Sequence, residues 1–212
     1  MESDKAYKAL LKISKENNFK LLTRYLEQSE PIQIKVSSLP LIEYLSSVIV
    51  SQQLSTKAAK TIWSRVHPII KSHTNSTNLD KELRLAGLSR SKANYVIGLI
   101  ENFNLSVMQR NDLIHISNIE FENLLITNKG IGPWSVQMAR MFYLGDTDVM
   151  PINDLGIKNA HKYFFSEHDL SERFYEPFRP WRTYLSLFMW QSLSQTNQHI
   201  RSSSVLSQNF LH

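Results

Sequence analysis

The sequence predicts an all-α fold, and three observations carry that reading. Apolar residues recur three or four positions apart, as in Ala6, Leu10 and Ile13, or Phe121, Leu124 and Leu125. Glycine turns punctuate these runs, at Gly87 and at the pair Gly130 and Gly132. The alternating run Ile32-Gln33-Ile34-Lys35-Val36 stands between prolines with no evident partner strand, so it reads as an extended linker.

The composition sets bounds on function. A chain of 212 residues can bury a sizeable core as one domain or two small lobes. The net charge of +5 suits an anionic partner such as nucleic acid without establishing one. Cysteine is absent, which excludes disulfides, a cysteine nucleophile and a cysteine-held iron–sulfur cluster. The seven histidines are dispersed and form no HExxH pattern, so metal catalysis finds no support. Met1-Glu2-Ser3-Asp4-Lys5 does not open like a signal peptide, and the apolar runs at Leu45–Val50 and Leu185–Trp190 are too short to span a bilayer. The expectation is a soluble intracellular monomer, in the cytoplasm or nucleoid of a bacterium or the nucleus of a eukaryote, with no membrane partner.

In chain order, residues 3–28 read as one or two helices with a break at Asn17-Asn18. A helix from Leu41 to Val50 meets Ser51-Gln52-Gln53-Leu54-Ser55, and Ser55 can cap a second helix that runs to Val66. The polar stretch from His67 to Asp80 reads as a surface loop. Between Leu83 and Phe103 lies a helix–turn–helix, with Gly87 as C-cap and Ser89 or Ser91 as N-cap. Arg90 and Lys92 oppose the macrodipole at that helix start, which a nearby phosphate or simple exposure accommodates. Residues 104–117 form a connection. Beyond Asp154 a helix runs from Leu155 to Phe164, a polar loop covers Ser166–Ser171, and Pro180-Trp181-Arg182 opens a largely apolar helix. The tail from Ser192 is expected to be poorly ordered.

The most informative stretch is Leu124 to Asn159. Apolar residues at helical spacing flank Gly130 and Gly132, and Pro133 suits a first helical turn. Such a glycine turn lets another chain approach the backbone closely and favours an anion at the following helix start. Twenty residues after Trp134 comes Asp154, just before another helical run. A glycine turn, an aromatic and a carboxylate in that order suggest chemistry on nucleic acid.

Lys129-Gly130-Ile131-Gly132-Pro133-Trp134 resembles the helix-hairpin-helix of the HhH-GPD superfamily of DNA base-excision glycosylases, and in particular its 3-methyladenine DNA glycosylase II (AlkA-type) branch. Ile49-Val50-Ser51-Gln52-Gln53-Leu54-Ser55 and Arg179-Pro180-Trp181-Arg182-Thr183-Tyr184 with Trp190 match the same branch, so the resemblance spans roughly residues 40 to 195. It implies two helical lobes flanking an active-site cleft, one at about 40–139 and the other at about 1–39 with 140–212. It also implies the compact form, without the α/β domain that precedes the match in the prototype. The Gly-Pro-Asp signature departs from the family, since Pro151 lies three residues before Asp154 and Asn153 precedes the acid directly.

The resemblance assigns roles. Asp154 falls on the family's catalytic aspartate, although an Asp opening a helix also serves as an N-cap; Asp146 and Asp148 are nearby alternatives without the positional match. Trp134 and Trp190 would line the base pocket, where π faces attract the positive ring of an alkylated base, together with Met138 and Leu155, which replace tyrosines of the prototype. Trp63 and Trp181 read as core. Gln53 is placed to fill the gap left by an everted nucleotide, with Leu54 as the alternative wedge. Lys129, Gly130, Ile131 and Gly132 would bind DNA phosphate, and turn carbonyls of the hairpin can hold a monovalent cation. No other cofactor is expected. Relatives that also cleave the backbone use a lysine where this chain has Trp134, and Lys129 faces the wrong way to replace it. The expected activity is therefore monofunctional hydrolysis of alkylated bases such as 3-methyladenine and 7-methylguanine from double-stranded DNA. The alternatives are a glycosylase of other specificity and a non-catalytic lesion-binding protein.

Overall fold

The computed structural model describes residues 1–72 and 78–193. Every regular element among them is helical, and none is long and apolar enough to cross a membrane. The chain divides into two compact units, Met1–Ile34 with the described residues from Asp146 onward (unit 1), and Lys35–Gly145 (unit 2).

Unit 1 begins with α1 (Glu2–Glu16) and α2 (Lys20–Glu27). Ser3, Ala6, Leu10 and Ser14 give α1 one buried stripe. The break between the two helices falls where the sequence suggests. Asn18 takes φ 56°, a conformation asparagine tolerates, and Phe19 N–H bonds back to the Ser14 carbonyl at 2.9 Å. Later come α11 (Leu155–Phe164), a 3-10 turn (Arg173–Phe178) and α12 (182–193). Leu10, Leu22, Leu26, Ile157, Phe165, Tyr175, Phe178, Leu185 and Phe188 close the core of this unit. Truncating Phe165 or Phe188 to Ala would cost about 3–5 kcal/mol at such sites. The start of the Ser192 tail is helical, and the rest of it, 194–212, lies outside the described residues.

Unit 2 is built around α3 (Leu41–Ser51), whose Leu41, Tyr44, Leu45, Ser46, Val48, Ile49 and Val50 are all buried. Against it pack α4 (Thr56–Ser72), α6 (Arg90–Ile100), the short α7 (Phe103–Ser106) and α10 (Pro133–Ala139). The remaining helices are α5 (Leu79–Leu85), α8 (Arg110–Leu113) and α9 (Asn118–Ile126). Ser89 caps α6, and Ser117 with Glu120 forms a reciprocal capping box on α9. Hydrogen bonds from the Ser117 backbone N–H and from its side chain hold the Glu120 carboxyl below its usual range.

The structure departs from the sequence reading in three places. Helix α4 runs through Pro68 to Ser72 instead of stopping at Val66, because Ile70 is buried and His67 pairs with Glu43. Of the loop expected from His67 to Asp80, residues 73–77 lie outside the described residues. Residues 104–117 contain most of α7 and all of α8. The unit boundaries fall at 34/35 and 145/146, not at 39/40 and 139/140. Of the expected linker, Ile32 and Ile34 pack against the unit-1 core, while the residues from Lys35 belong to unit 2, where Ser37 N–H donates to the Phe142 carbonyl at 2.8 Å and the Arg110 guanidinium donates to the Ser37 carbonyl. Phe142 lies in a π-turn (Arg140–Leu144) that continues α10 and ends at Gly145, φ 81°.

Candidate active site

In unit 1, Asp154 is the N-cap of α11. Its Oδ1 accepts hydrogen bonds from Ile157 N–H at 3.0 Å and from Trp190 Nε1 at 2.8 Å. The capping role and the proposed catalytic role therefore coincide in one side chain, since the cap fixes where the carboxylate points. Gly156 makes the arrangement possible. A Cβ there would lie 2.7 Å from Trp190 Cδ1 and 3.0 Å from Asp154 Oδ1. Trp190 comes from α12 and is half-buried against the unit-1 core. Leu155, at the first position of α11, is 72% exposed.

The two nearby carboxylates have structural duties. Asp148 accepts from Arg182 Nε at 2.6 Å and Arg179 Nε at 2.8 Å. Asp146 Oδ1 accepts from Asp148 N–H at 2.8 Å. The Arg179–Tyr184 motif thus pins the segment leading to Asp154, helped by Thr183 N–H on the Thr147 carbonyl at 2.9 Å. Trp181 is partly buried against the same core, its ring 5.9 Å from that of Tyr184.

In unit 2, the turn between α9 and α10 is held from three sides. Asn128 Nδ2 donates to the Leu124 and Leu125 carbonyls, and Asn102 Nδ2 donates to Asn128 Oδ1 at 2.8 Å. Ile131 is buried at 5% exposure, while Lys129 is exposed. Gly130 has φ 89°, and a Cβ there would fall 2.5 Å from the Tyr95 ring; a Cβ at Gly132 meets nothing within 4 Å. Two turn carbonyls accept hydrogen bonds from the protein itself, Asn128 from Ile131 N–H and Gly130 from Gln52 Nε2.

The turn after α3 is tied to this hairpin. Gln52 Nε2 donates to the Gly130 carbonyl at 2.8 Å and to Ser135 Oγ at 3.1 Å. Lys92 Nζ donates to the carbonyls of Val50 at 2.9 Å and Gln52 at 2.8 Å. The ammonium therefore caps the C-terminal end of α3, where positive charge is favoured, and burial pushes its pKa down. Sequence reasoning offered phosphate or solvent for Lys92, and neither explains its placement. Beyond Gln52, Gln53 is exposed at φ 57° and Leu54 is 40% exposed. Both project from a turn whose base is fixed.

Trp134 is half-buried and lines a cavity of about 360 Å³ with Ser47, Ser51, Leu54, Ala59, Lys60 and Trp63 among its walls. The reading of Trp63 as core is corrected. Its ring is only partly buried and faces this cavity, because α4 is anchored through Val66 and Ile70 instead. Met138 is 7% exposed and is not among the cavity walls, and its carbonyl accepts from Tyr44 Oη at 2.7 Å. Burial raises the Tyr44 hydroxyl well above the usual phenol range. The anchoring of Lys92 on α3, the cavity-facing placement of Trp63 and the close approach at Gly156 escaped the sequence reading.

Among the described residues, an all-helical architecture carries a glycine hairpin, a braced polar turn and an Asp-capped helix, the parts of a helix-hairpin-helix protein. The sequence profile of the HhH-GPD superfamily base excision DNA repair protein matches residues 46–181, and the chain belongs to that family. It is 28% identical over 189 residues to DNA-3-methyladenine glycosylase 1 of Schizosaccharomyces pombe, covering 84% of this chain and 82% of that protein. The crystal structure of a DNA-3-methyladenine glycosidase from Bacillus halodurans superposes with a TM-score of 0.68 at 25% identity, over 88% of this chain and 89% of that one. The Schizosaccharomyces pombe 3-methyladenine DNA glycosylase in complex with abasic DNA superposes with a TM-score of 0.69 at 26% identity, over 88% and 95%.

Proposed function

We propose that this chain is a monofunctional DNA glycosylase that everts alkylated, cationic bases such as 3-methyladenine and 7-methylguanine from duplex DNA and excises them hydrolytically, acting as a monomer. The observation that carries this reading is the Asp154 carboxylate, oriented by Ile157 N–H and Trp190 Nε1. The relatives named as 3-methyladenine glycosylases, one of them in complex with abasic DNA, support it.

As the C1′–N bond lengthens, positive charge develops on the deoxyribose, and an oriented carboxylate stabilises it. Water adds its oxygen to C1′ and yields a proton to Asp154. The bonding electron pair leaves with the base and cancels the charge its methyl group had imposed. Free base and an abasic site result. Lys129, Gly130, Ile131 and Gly132 anchor the phosphate backbone, and Gln53 fills the vacated stack, with Leu54 as the alternative wedge. In this proposal the π faces of Trp134 and Trp190 are assigned to the cationic ring. Base–aromatic stacking of about 1–3 kcal/mol offsets part of an eversion cost of a few kcal/mol. With an indole at Trp134 in place of an amine, no Schiff base forms and the backbone stays intact.

The test is a release assay on a panel of methylated, oxidised and deaminated duplexes. Free 3-methyladenine and 7-methylguanine are the expected products. Release of only oxidised or deaminated bases would reassign the specificity. No release, with retained affinity for abasic DNA, would make the protein a lesion binder.

A further inference from the structure

The cavity of unit 2 contains a second indole that the reaction described above does not use. Thr56, Ala59, Lys60 and Trp63 lie three, four and seven positions apart, so one stripe of α4 forms a wall of the cavity that Trp134 also lines. Trp63 is held from behind. Its ring stacks on His67 with centroids 4.8 Å apart and planes 20° from parallel, and His67 Nε2 donates to Glu43 Oε2 at 2.6 Å. A carboxylate on α3 thus fixes an imidazole, which fixes an indole. Pre-ordering of this kind removes side-chain entropy that a loose surface tryptophan would lose on binding. The walls offer two indoles and no carboxylate, with the exposed Lys60 among them. Flat π surfaces recognise planar rings whatever their hydrogen-bonding edges, and a cation beside them suits a neighbouring phosphate.

We propose that Trp63 is a base-stacking residue: with Trp134 it receives the everted nucleobase and holds it by its π face. His67 and Glu43 are its positioning residues. This inference rests on the reading of the chain as a base-everting glycosylase.

The test compares wild type, Trp63→Ala, Trp63→Phe and His67→Ala in the full chain. Two quantities are measured, kcat/KM for excision of 7-methylguanine from duplex DNA and affinity for the same duplex carrying an abasic site. An abasic site has no base to stack, so it reports folding and backbone binding alone. Trp63→Ala is expected to lower kcat/KM by about 5- to 140-fold, the equivalent of the stacking energy of one base. Trp63→Phe restores most of the loss, His67→Ala falls between, and abasic affinity changes by less than about twofold. Unchanged kcat/KM in Trp63→Ala would overturn the proposal, as would a parallel fall in abasic affinity. Should wild type release no base, the glycosylase reading fails separately. Trp63 is then judged on binding, where the ratio of methylated-duplex to abasic-duplex affinity must drop in Trp63→Ala or the proposal fails too.

Discussion

Trp190 Nε1 donates to Asp154 Oδ1 at 2.8 Å, an approach that is possible because residue 156 has no side chain. The carboxylate is therefore set by two elements, the helix it caps and the indole that reaches it from α12. Trp190→Phe keeps an aromatic face but deletes the donor. A hydrogen bond to a charged group contributes about 1.5–3 kcal/mol, so kcat should fall by about 10- to 150-fold with a smaller change in KM. Gly156→Ala should produce a similar kcat loss by forcing the indole and the carboxylate apart. Single-turnover excision of 7-methylguanine measures both, and normal rates in Gly156→Ala would show that the contact has no catalytic role.

Lys92 holds the turn that presents Gln53. Lys92→Met leaves the Val50 and Gln52 carbonyls without this donor, a loss of about 1–3 kcal/mol, and at about 2–4 °C per kcal/mol the melting temperature should fall by several degrees. Excision should fall with it, and Lys92→Arg should recover more of both than Met does. Thermal denaturation followed by circular dichroism, paired with the release assay, checks this. A melting temperature equal to that of wild type would remove Lys92 from the scaffold.

The two hairpin glycines separate by mechanism. Gly130→Ala combines a positive φ with a Cβ 2.5 Å from the Tyr95 ring, so it should destabilise the fold and abolish DNA binding. Gly132→Ala meets no protein atom within 4 Å and should melt like wild type. Its added methyl can only obstruct an approaching phosphate, so its duplex affinity should fall while its stability holds. Melting curves and fluorescence anisotropy on a labelled duplex distinguish the two.

What the sequence made legible was local. The break at Asn17-Asn18, the Ser89 cap, the Pro133 helix start and the Asp154 cap each depend on residues within one helical turn. The features it hid are long-range. Pro68 and its polar neighbours resemble a loop, and α4 persists there because His67 finds Glu43, 24 positions away. Lys92 looks exposed until α3 places carbonyls 40 and 42 positions distant beside its ammonium. Gly156 looks like an ordinary helix glycine until Trp190 arrives across it. Trp63 shares its spacing with buried residues, and nothing local distinguishes a core indole from one facing a cavity.

The family resemblance implies that Trp134 stands where backbone-cleaving relatives carry a nucleophilic lysine, so the proposed function predicts that borohydride traps no covalent complex with DNA during turnover. Denaturing electrophoresis detects such an adduct directly. An efficient one would contradict the monofunctional assignment.

Asp154→Asn is the most direct test, because asparagine also caps helices and leaves α11 intact while removing the charge. Wild type should release free 7-methylguanine and 3-methyladenine from methylated duplex. The variant should be slower by about a hundredfold or more, in line with loss of a positioned acid–base group, yet bind abasic duplex as wild type does. Turnover at the wild-type rate in Asp154→Asn would contradict the account.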